Sequence, residues 1–262
     1  METGPQIDDD TIIYIQTIQG NSIRTLVEGL KDVLIEINFE VDEEGIKVKA
    51  LNSSQSVFVF LKLEASKFDT FICKQKQIWS IYMPDFHKFL KTMGRDDVLT
   101  FTQNKNETEK INIFIDNSEK SLQTKYSLNL YDINIESFEV PPQKFSSIIT
   151  IPSQEFQKIC RDMAVLSDKV EITSLRNRLT FFCKGDIGEC TKTIGGSVIE
   201  QENDEIVHGI FSLNHLVQIT KFTSLCNSIE LKFKKKYPLV IKYTCAALGE
   251  LTIALAPKIS EE

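Results

Sequence analysis

The stretch FHKFLKTM (residues 86–93) shares its pattern with a second stretch, FQKICRDM (residues 156–163). In both, apolar residues occupy the first, fourth, fifth and eighth positions, which fall on one side of a helix with 3.6 residues per turn. The third and sixth positions are basic: Lys88 and Lys91 in the first stretch, Lys158 and Arg161 in the second. The sequence therefore predicts two amphipathic helices, each with an apolar side and a basic side.

Two further segments follow the same pattern, so four helices are predicted, at about residues 22–34, 84–94, 153–165 and 213–223. Small or apolar residues recur at offsets 0, 3, 4 and 7 from four anchors: Leu26, Phe86, Phe156 and Leu216. At offset 5, on the opposite side, every helix carries a basic residue: Lys31, Lys91, Arg161 and Lys221. Gly29 and Thr220 weaken the first and fourth helices.

The spacing of these basic residues indicates an internal duplication. Lys31 and Arg161 are 130 residues apart, as are Lys91 and Lys221, in a chain of 262 residues. Short segments rich in β-branched and aromatic residues predict strands at 57–63, 110–116, 146–152, 228–234, 238–244 and 249–257. We therefore predict an α+β fold of two similar domains, in which each helix turns its apolar side toward a sheet.

The predicted order is a flexible N-terminal extension over residues 1–11, an N-terminal domain over 12–130, a connector over 131–145, a C-terminal domain over 146–259 and a tail over 260–262. Pro141 and Pro142 favour an extended chain in the connector and leave no amide donor there. The apolar connector residues either form a docking site for a partner or pin the connector to a sheet; they are Ile133, Ile135, Phe138 and Val140.

Composition and motifs narrow the function classes. The chain has 30 Lys and Arg against 37 Asp and Glu, a net charge of −7, which argues against a surface coated with nucleic acid but allows one basic face. The glycine-rich loops of nucleotide sites and the G-x-S-x-G motif of hydrolases do not occur in the sequence, so we predict no enzyme and no cofactor.

Six cysteines contain no C-x-x-C pair, so no metal site is predicted. Most lie in apolar segments and are expected to be reduced, buried thiols of an intracellular protein. The polar start METGPQIDDD is unlike a secretory signal, and no apolar run reaches the roughly 18 residues of a membrane span. We therefore expect no membrane partner.

Five stretches occur in collinear order: GNSIRTLVEGLKDVLIEINFEVDEEGIKVKALNSSQ (20–55), KFDTF (67–71), PSQEFQKICRDMAVLSDKVEI (152–172), PLVIKY (238–243) and GELTIALAPKI (249–259). Together they resemble the proliferating cell nuclear antigen (PCNA) family of sliding clamps, over about residues 12–259. The resemblance implies the DNA clamp fold, with two helices packed on antiparallel sheets in each domain and subunits assembled head to tail as a homotrimeric ring. Such a ring encircles double-stranded DNA irrespective of sequence.

The resemblance also implies a role and partners. The expected role is that of a processivity factor in DNA replication and repair, which tethers DNA polymerase, ligase and flap nuclease by short peptides and is opened by a clamp loader. The expected location is the nucleus, or a viral replication compartment if the chain is encoded by a virus.

Positions that match the family imply three sites. The DNA-lining residues are Arg24, Lys31, Lys88, Lys91, Lys158, Arg161 and Lys221. The partner-peptide pocket comprises Leu51, Gln55, Phe138, Val140, Pro238, Ala254, Ala256 and Pro257. The subunit interface pairs an edge strand at about 121–129, with Tyr126, with another at about 187–195.

Several positions depart from the family pattern. Asn214 stands where the family often has arginine, so it receives no DNA role. Gln55 replaces a frequent histidine and Ala254 a frequent tyrosine, which reshapes the expected pocket. Arg176 occupies the position of the lysine that carries ubiquitin-type modification.

Two alternatives to the homotrimeric clamp remain open. One is that the chain is a subunit of a heterotrimeric checkpoint-type clamp. The other is that it is a monomeric processivity or transcription factor that binds DNA on an open basic face.

Overall fold

The computed structural model describes residues 5–117, 119–132, 143–175, 178–195, 197–201 and 206–258. These residues form two compact units. The first comprises the described residues of 1–50, 60–137 and 245–250, and the second those of 51–59, 138–244 and 251–262. Residues 51–59 come from the N-terminal half of the chain but belong to the second unit, and residues 245–250 come from the C-terminal half but belong to the first. Neither unit is therefore one continuous piece of chain. The continuous division at residues 131–145 stays a prediction.

The first unit contains two helices, α1 (Gly20–Val33) and α2 (Met83–Leu90). Its strands are β1 (Thr11–Thr17), β2 (Glu36–Asp42), β3 (Gly45–Leu51), β4 (Val57–Glu64), β5 (Thr70–Cys73), β6 (Gln77–Tyr82), β7 (Val98–Asn104), β8 (Lys110–Asn117) and β9 (Leu122–Asn129). Leu51 of β3 and the first three residues of β4 are grouped with the second unit. One sheet has the order β5-β1-β7-β8-β9, and the other contains β4-β3-β2-β6. A short 3₁₀ turn at Ala65–Lys67 precedes β5.

The second unit repeats this plan with α3 (Ser153–Ala164) and α4 (Leu213–Ile219), the latter continued by a 3₁₀ segment at Thr220–Leu225. Its strands are β10 (Ser147–Pro152), β11 (Lys169–Leu175), β12 (Arg178–Gly185), β13 (Gly188–Gly195), β14 (Ser197–Gln201), β15 (Val207–Ser212), β16 (Ser228–Phe233), β17 (Leu239–Cys245) and β18 (Gly249–Leu255). The sheets have the orders β13-β12-β11-β15 and β14-β10-β16-β17-β18. The α+β fold with two helices per unit is confirmed.

The predicted apolar stripes of the four helices are buried. The four anchor residues are between 0% and 5% exposed, and the residues at offsets 4 and 7 are also buried; the anchors are Leu26, Phe86, Phe156 and Leu216. Phe89, at offset 3 of α2, is half-buried instead. Burial of these stripes sets the rotation of each helix about its own axis, so that the offset-5 residues lie on the other side.

Two helices end earlier than the sequence predicted. The helix predicted at 213–223 is α-helical only to Ile219, since the Thr220 hydroxyl donates to the Val217 carbonyl over 2.9 Å and the Thr223 hydroxyl to the Thr220 carbonyl over 2.6 Å. The helix predicted at 84–94 ends at Leu90. Threonine hydroxyls that bond to nearby carbonyls compete with helical backbone bonds, which accounts for the 3₁₀ segment after α4.

The folded part of the chain includes residues assigned to the N-terminal extension. The Thr11 hydroxyl donates to the Asp8 carboxylate over 2.6 Å, and Thr11 is the first residue of β1. The Asp10 carboxylate lies 2.6 Å from the Lys105 ammonium. Residues 8–11 therefore form a hydrogen-bonded entry into the first sheet.

The six cysteines are free thiols. Cys160, Cys183 and Cys245 are buried, as predicted, whereas Cys73 and the other two are only partly buried. Burial raises the pKa of the Cys160 thiol far above its ordinary value, so the group stays protonated. Within the described ranges, no helix has the length and apolar character needed to cross a membrane.

One buried hydrogen bond ties the layers together in each unit. In the first, the indole N–H of Trp79 on β6 donates to Gln103 Oε1 on β7 over 2.9 Å, which joins the two sheets. In the second, the hydroxyl of Tyr243 on β17 donates to the carbonyl of Ile219 at the end of α4 over 3.1 Å. Buried polar groups of this kind are costly to leave unpaired.

We predict that Trp79→Phe lowers the free energy of unfolding by at least about 1–3 kcal/mol, because it leaves the fully buried Gln103 oxygen without its donor. The double variant Trp79→Phe/Gln103→Met removes both polar partners and should recover part of that loss. Urea unfolding at fixed protein concentration measures both effects. An equal loss in the single and double variants would contradict the role given to this hydrogen bond.

Candidate nucleic-acid and partner interfaces

Lys31 on α1 and Lys91 at the end of α2 both act on the charge of His87 in the first unit. Burial lowers the pKa of His87, and the positive charges of Lys31 and Lys91 lower it further, against an opposing effect of Glu28. Lys91 is exposed, whereas Lys31 is half-buried and lies 3.0 Å from the Asp32 carboxylate. Lys31 and Lys91 therefore both lie near enough to His87 for their charges to act on it.

Lys88 is exposed on α2 and is paired with an acid of the same helix. Its ammonium lies 2.8 Å from the Asp85 carboxylate one turn earlier, and this hydrogen bond raises the pKa of Lys88. Surface pairs at this spacing are weak and screened by salt. A polyanion can therefore compete for the Lys88 ammonium.

Arg24 has a different setting from the lysines. Its guanidinium donates to the Met93 carbonyl over 2.7 Å and to Asn21 Oδ1 over 2.6 Å. These bonds fix the start of α1 to the chain that follows α2. A guanidinium has five N–H donors, so only part of Arg24 is left for an external ligand.

In the second unit, Lys158 on α3 and Lys221 in the 3₁₀ segment line the same open groove. Gln157 joins the two elements, because its amide donates to the Thr220 carbonyl over 2.7 Å. Arg161, one turn beyond Lys158, is exposed. Three of the seven predicted DNA-lining residues therefore lie on this helix pair.

Sequence reasoning missed Lys192, which lies on β13 and bonds to the Asp162 carboxylate of α3. This hydrogen bond lowers the pKa of Asp162 and balances an acid that adjoins Arg161 in the sequence. A strand lysine gives no periodic signal toward a helix 30 residues away in sequence. Only the alternating exposure along β13 places Lys192 on a face of its sheet.

The exposed side of the four helices is basic but not uniformly so. Glu28 is exposed on α1 and Asn214 near the start of α4. The arrangement suits contacts with phosphate groups, because lysine and arginine on helix surfaces contact a polyanion without reading its bases.

The predicted peptide-pocket residues that the structure describes all belong to the second unit. Gln55 is the exposed tip of a turn and has a positive φ of 55°, with its N–H donating to the Asn52 carbonyl over 2.9 Å. The Ala256 N–H donates to the Ser56 carbonyl over 2.8 Å, which brings the end of the chain beside this turn. Leu51, Pro238, Ala254 and Ala256 are half-buried and Pro257 is exposed. Phe138 and Val140 lie outside the described residues, as does Arg176.

The two strands predicted for subunit contact are both edge strands among the described residues. β9 pairs only with β8, and β13 only with β12. The Tyr126 ring on β9 stacks on Phe89 of α2 at a centroid distance of 4.7 Å, and its hydroxyl shares a hydrogen bond of 3.2 Å with Thr92. An edge strand offers unpaired backbone groups to another chain.

Comparison with known proteins agrees with this architecture. The family model for the PCNA N-terminal domain matches residues 13–138, and the model for the C-terminal domain matches residues 139–258. The chain is 31% identical over 260 residues to a probable DNA polymerase sliding clamp 1 of Paramecium bursaria Chlorella virus 1, covering 97% of this chain and 99% of the viral protein. It is 28% identical over 252 residues to proliferating cell nuclear antigen of Chaetomium thermophilum, covering 93% and 97%.

The duplicated fold, the helices with one apolar and one basic side, and the match of both domain models lead to one conclusion: the chain belongs to the proliferating cell nuclear antigen family of DNA sliding clamps, which are non-enzymatic scaffold proteins of DNA replication.

Proposed function

We propose that the protein is a homotrimeric clamp that encircles double-stranded DNA and acts as a processivity factor for DNA polymerase. The observation that carries this proposal is the repeated placement of cations on the exposed side of helices whose other side is buried. It recurs in both units of a chain with a net charge of −7. An acidic protein has one favourable surface for a polyanion when its cations are gathered in this way.

The proposed DNA contacts are Lys31, Lys88, Lys91, Lys158, Arg161 and Lys221, with a smaller share for Arg24 because of its internal bonds. Each is a contact to phosphate rather than to a base edge, so binding is insensitive to sequence and falls steeply with salt. Weak contacts of this type suit a protein that slides, since a closed ring stays on DNA by topology.

The ring is proposed to close by pairing β9 of one subunit with β13 of the next. Both strands are eight residues long and are edges of their sheets among the described residues. A contact between two different surfaces of identical subunits closes into a ring when the rotation per subunit allows it. Tyr126 supports β9 from the α2 side by its stack on Phe89.

Partner proteins are proposed to bind by short peptides at the pocket residues of the second unit, together with Phe138 and Val140. An apolar peptide helix in a groove is a general mode of recognition. We propose DNA polymerase, ligase and flap nuclease as such partners and a clamp loader that opens the ring. The proposed location is the nucleus or a viral replication compartment, in line with relatives from a fungus and a virus.

We predict that Lys91→Glu combined with Lys221→Glu shortens the products of processive synthesis by about tenfold or more, because reversed charges repel phosphate. The measurement is primer extension on a circular template with the polymerase and clamp loader of the same replication system. The matched control, Lys67→Glu with Lys74→Glu, reverses two exposed lysines outside the helices and should retain full product length.

Unchanged product length in the Lys91 and Lys221 variant contradicts the role of the basic helix sides. If the protein is a closed ring, we expect it to stay bound to circular duplex DNA and to be released when that DNA is linearised. Equal retention on both forms favours the monomeric factor with an open basic face.

We predict that the protein has the mass of three protomers by light scattering at micromolar concentration. Tyr126→Ala should raise the dissociation constant of the trimer by about tenfold, because it removes the stack that supports β9. Tyr126→Phe keeps the aromatic ring that stacks on Phe89 and should leave the trimer intact. A strict monomer of the unaltered protein contradicts the proposal, and co-purification with two different paralogues in equal amounts favours the heterotrimeric clamp.

A further inference from the structure

Four lysines stand close together where β16 turns into β17, in the stretch KFKKK (residues 232–236). We refer to Lys232, Lys234, Lys235 and Lys236 as the lysine turn. It lies apart from the basic helices and has no part in the proposed DNA contacts. Tyr237 and Pro238 follow it directly, and Pro238 belongs to the proposed peptide pocket.

Two lysines of this turn are held in place by aromatic rings. The Lys234 ammonium lies 5.3 Å from the Tyr237 ring centroid, and the Lys232 ammonium 5.9 Å from that of Phe145. The two rings meet edge to face at 6.0 Å. Lys234 also donates to Gln143 Oε1 over 2.8 Å. These cations are therefore ordered before any ligand binds, which reduces the entropy lost on binding.

The other two lysines are exposed at the tip. Neither Lys235 nor Lys236 has a carboxylate partner among the residues that the structure describes; the acid bonded within this cluster is Glu230, 3.3 Å from Lys232. Lys236 has a φ of 56°, a left-handed conformation in which glycine or asparagine is favoured. The turn thus carries an excess of positive charge. One of its lysines, Lys236, occupies a position where the backbone conformation favours glycine or asparagine.

We propose that the lysine turn binds acidic residues that flank the apolar anchors of a partner peptide seated on Pro238, Ala254 and Ala256. This inference rests on the peptide site proposed above. Pro238 is two residues from Lys236, so their Cα atoms are no more than about 7 Å apart. A peptide that contacts Pro238 passes within reach of the lysine side chains, which attract carboxylates and repel a basic flank.

The setting favours a peptide over nucleic acid. Duplex DNA presents a charge about every 1.7 Å along its axis and is bound by extended basic surfaces. The lysine turn is confined to the end of one hairpin and is followed directly by the half-buried Tyr237 and by Pro238, a half-buried residue of the proposed peptide site. Apolar surface beside a compact cationic group fits a peptide with apolar anchors and an acidic flank.

The test uses the full chain and three synthetic peptides. All share one helical turn with Ile at its first position and Phe at its fourth and fifth, and they carry flanks of Glu, Ser or Lys. We expect the Glu-flanked peptide to bind about 3- to 10-fold more tightly than the Ser-flanked one at low ionic strength, and the Lys-flanked peptide to bind most weakly. Fluorescence anisotropy measures the three affinities, and the preference should shrink at about 0.5 M salt.

A pair of variants locates the effect. Lys235→Gln with Lys236→Asn removes two exposed charges, and asparagine tolerates the left-handed conformation, so the melting temperature should be unchanged or higher. We expect the preference for the acidic flank to fall at least twofold while affinity for the Ser-flanked peptide stays constant. Lys67→Gln with Lys74→Gln makes the same change in net charge within the first unit and should keep the full preference.

The outcomes separate the two proposals. Equal affinity for all three peptides overturns the role of the lysine turn and leaves the peptide site intact. Failure of every peptide to bind overturns the peptide site and this inference together. An unchanged flank preference in the lysine-turn variant, with weaker binding of a fluorescent duplex, assigns these lysines to DNA and overturns the inference.

Discussion

Burial of one apolar stripe on each helix is the constraint on which the placement of charge depends. Phe156 and Leu216 are completely buried, and Phe86 and Leu26 nearly so. Burying a large apolar side chain stabilises the fold by about 1.5–3 kcal/mol, whereas burying an unpaired ammonium is far more costly. Each helix therefore has one favourable rotation about its axis. With that rotation, the offset-5 side chains of Lys91, Arg161 and Lys221 are exposed and that of Lys31 is half-buried.

The same constraint explains how an acidic chain presents a basic surface. Several carboxylates lie in turns, as in Glu43 and Glu44, or are bonded to lysines, as in Asp85 with Lys88 and Asp162 with Lys192, whereas Glu28 and Glu155 are exposed on helices. The charge of the carboxylates in turns or bonded to lysines is therefore displaced from the helices or balanced by a lysine. In the proposed ring this separation steers DNA toward the helices without strong binding, because topology rather than affinity keeps the clamp in place.

Two kinds of cation occur in the molecule, and their surroundings differ. Lys91, at the C-terminal end of α2, and Lys158 and Arg161, on α3, are exposed on long side chains, which suits transient contact with successive phosphates. The lysine turn is held by Phe145 and Tyr237 and lies beside half-buried apolar residues. Cations held beside apolar surface favour a ligand with a fixed position, whereas exposed cations on a polar helix surface favour one that slides.

The amino-acid sequence by itself determined the periodic features of this protein: four helices with one apolar and one basic side, their spacing of 130 residues, and strands within a residue or two of β8, β10 and β16. These follow from local rules, because a helix or strand repeats its side-chain pattern every few residues. The same rules erred at the end of α4, where threonine hydroxyls bond to the backbone.

Only the tertiary structure decided which distant residues meet. It gave Arg24 the Met93 carbonyl as a partner, placed Lys158 beside Lys221, paired Lys192 with Asp162, and grouped residues 51–59 with the second unit. No local period encodes these contacts, since each depends on how separately formed helices and strands pack against one another and on which buried polar groups find partners.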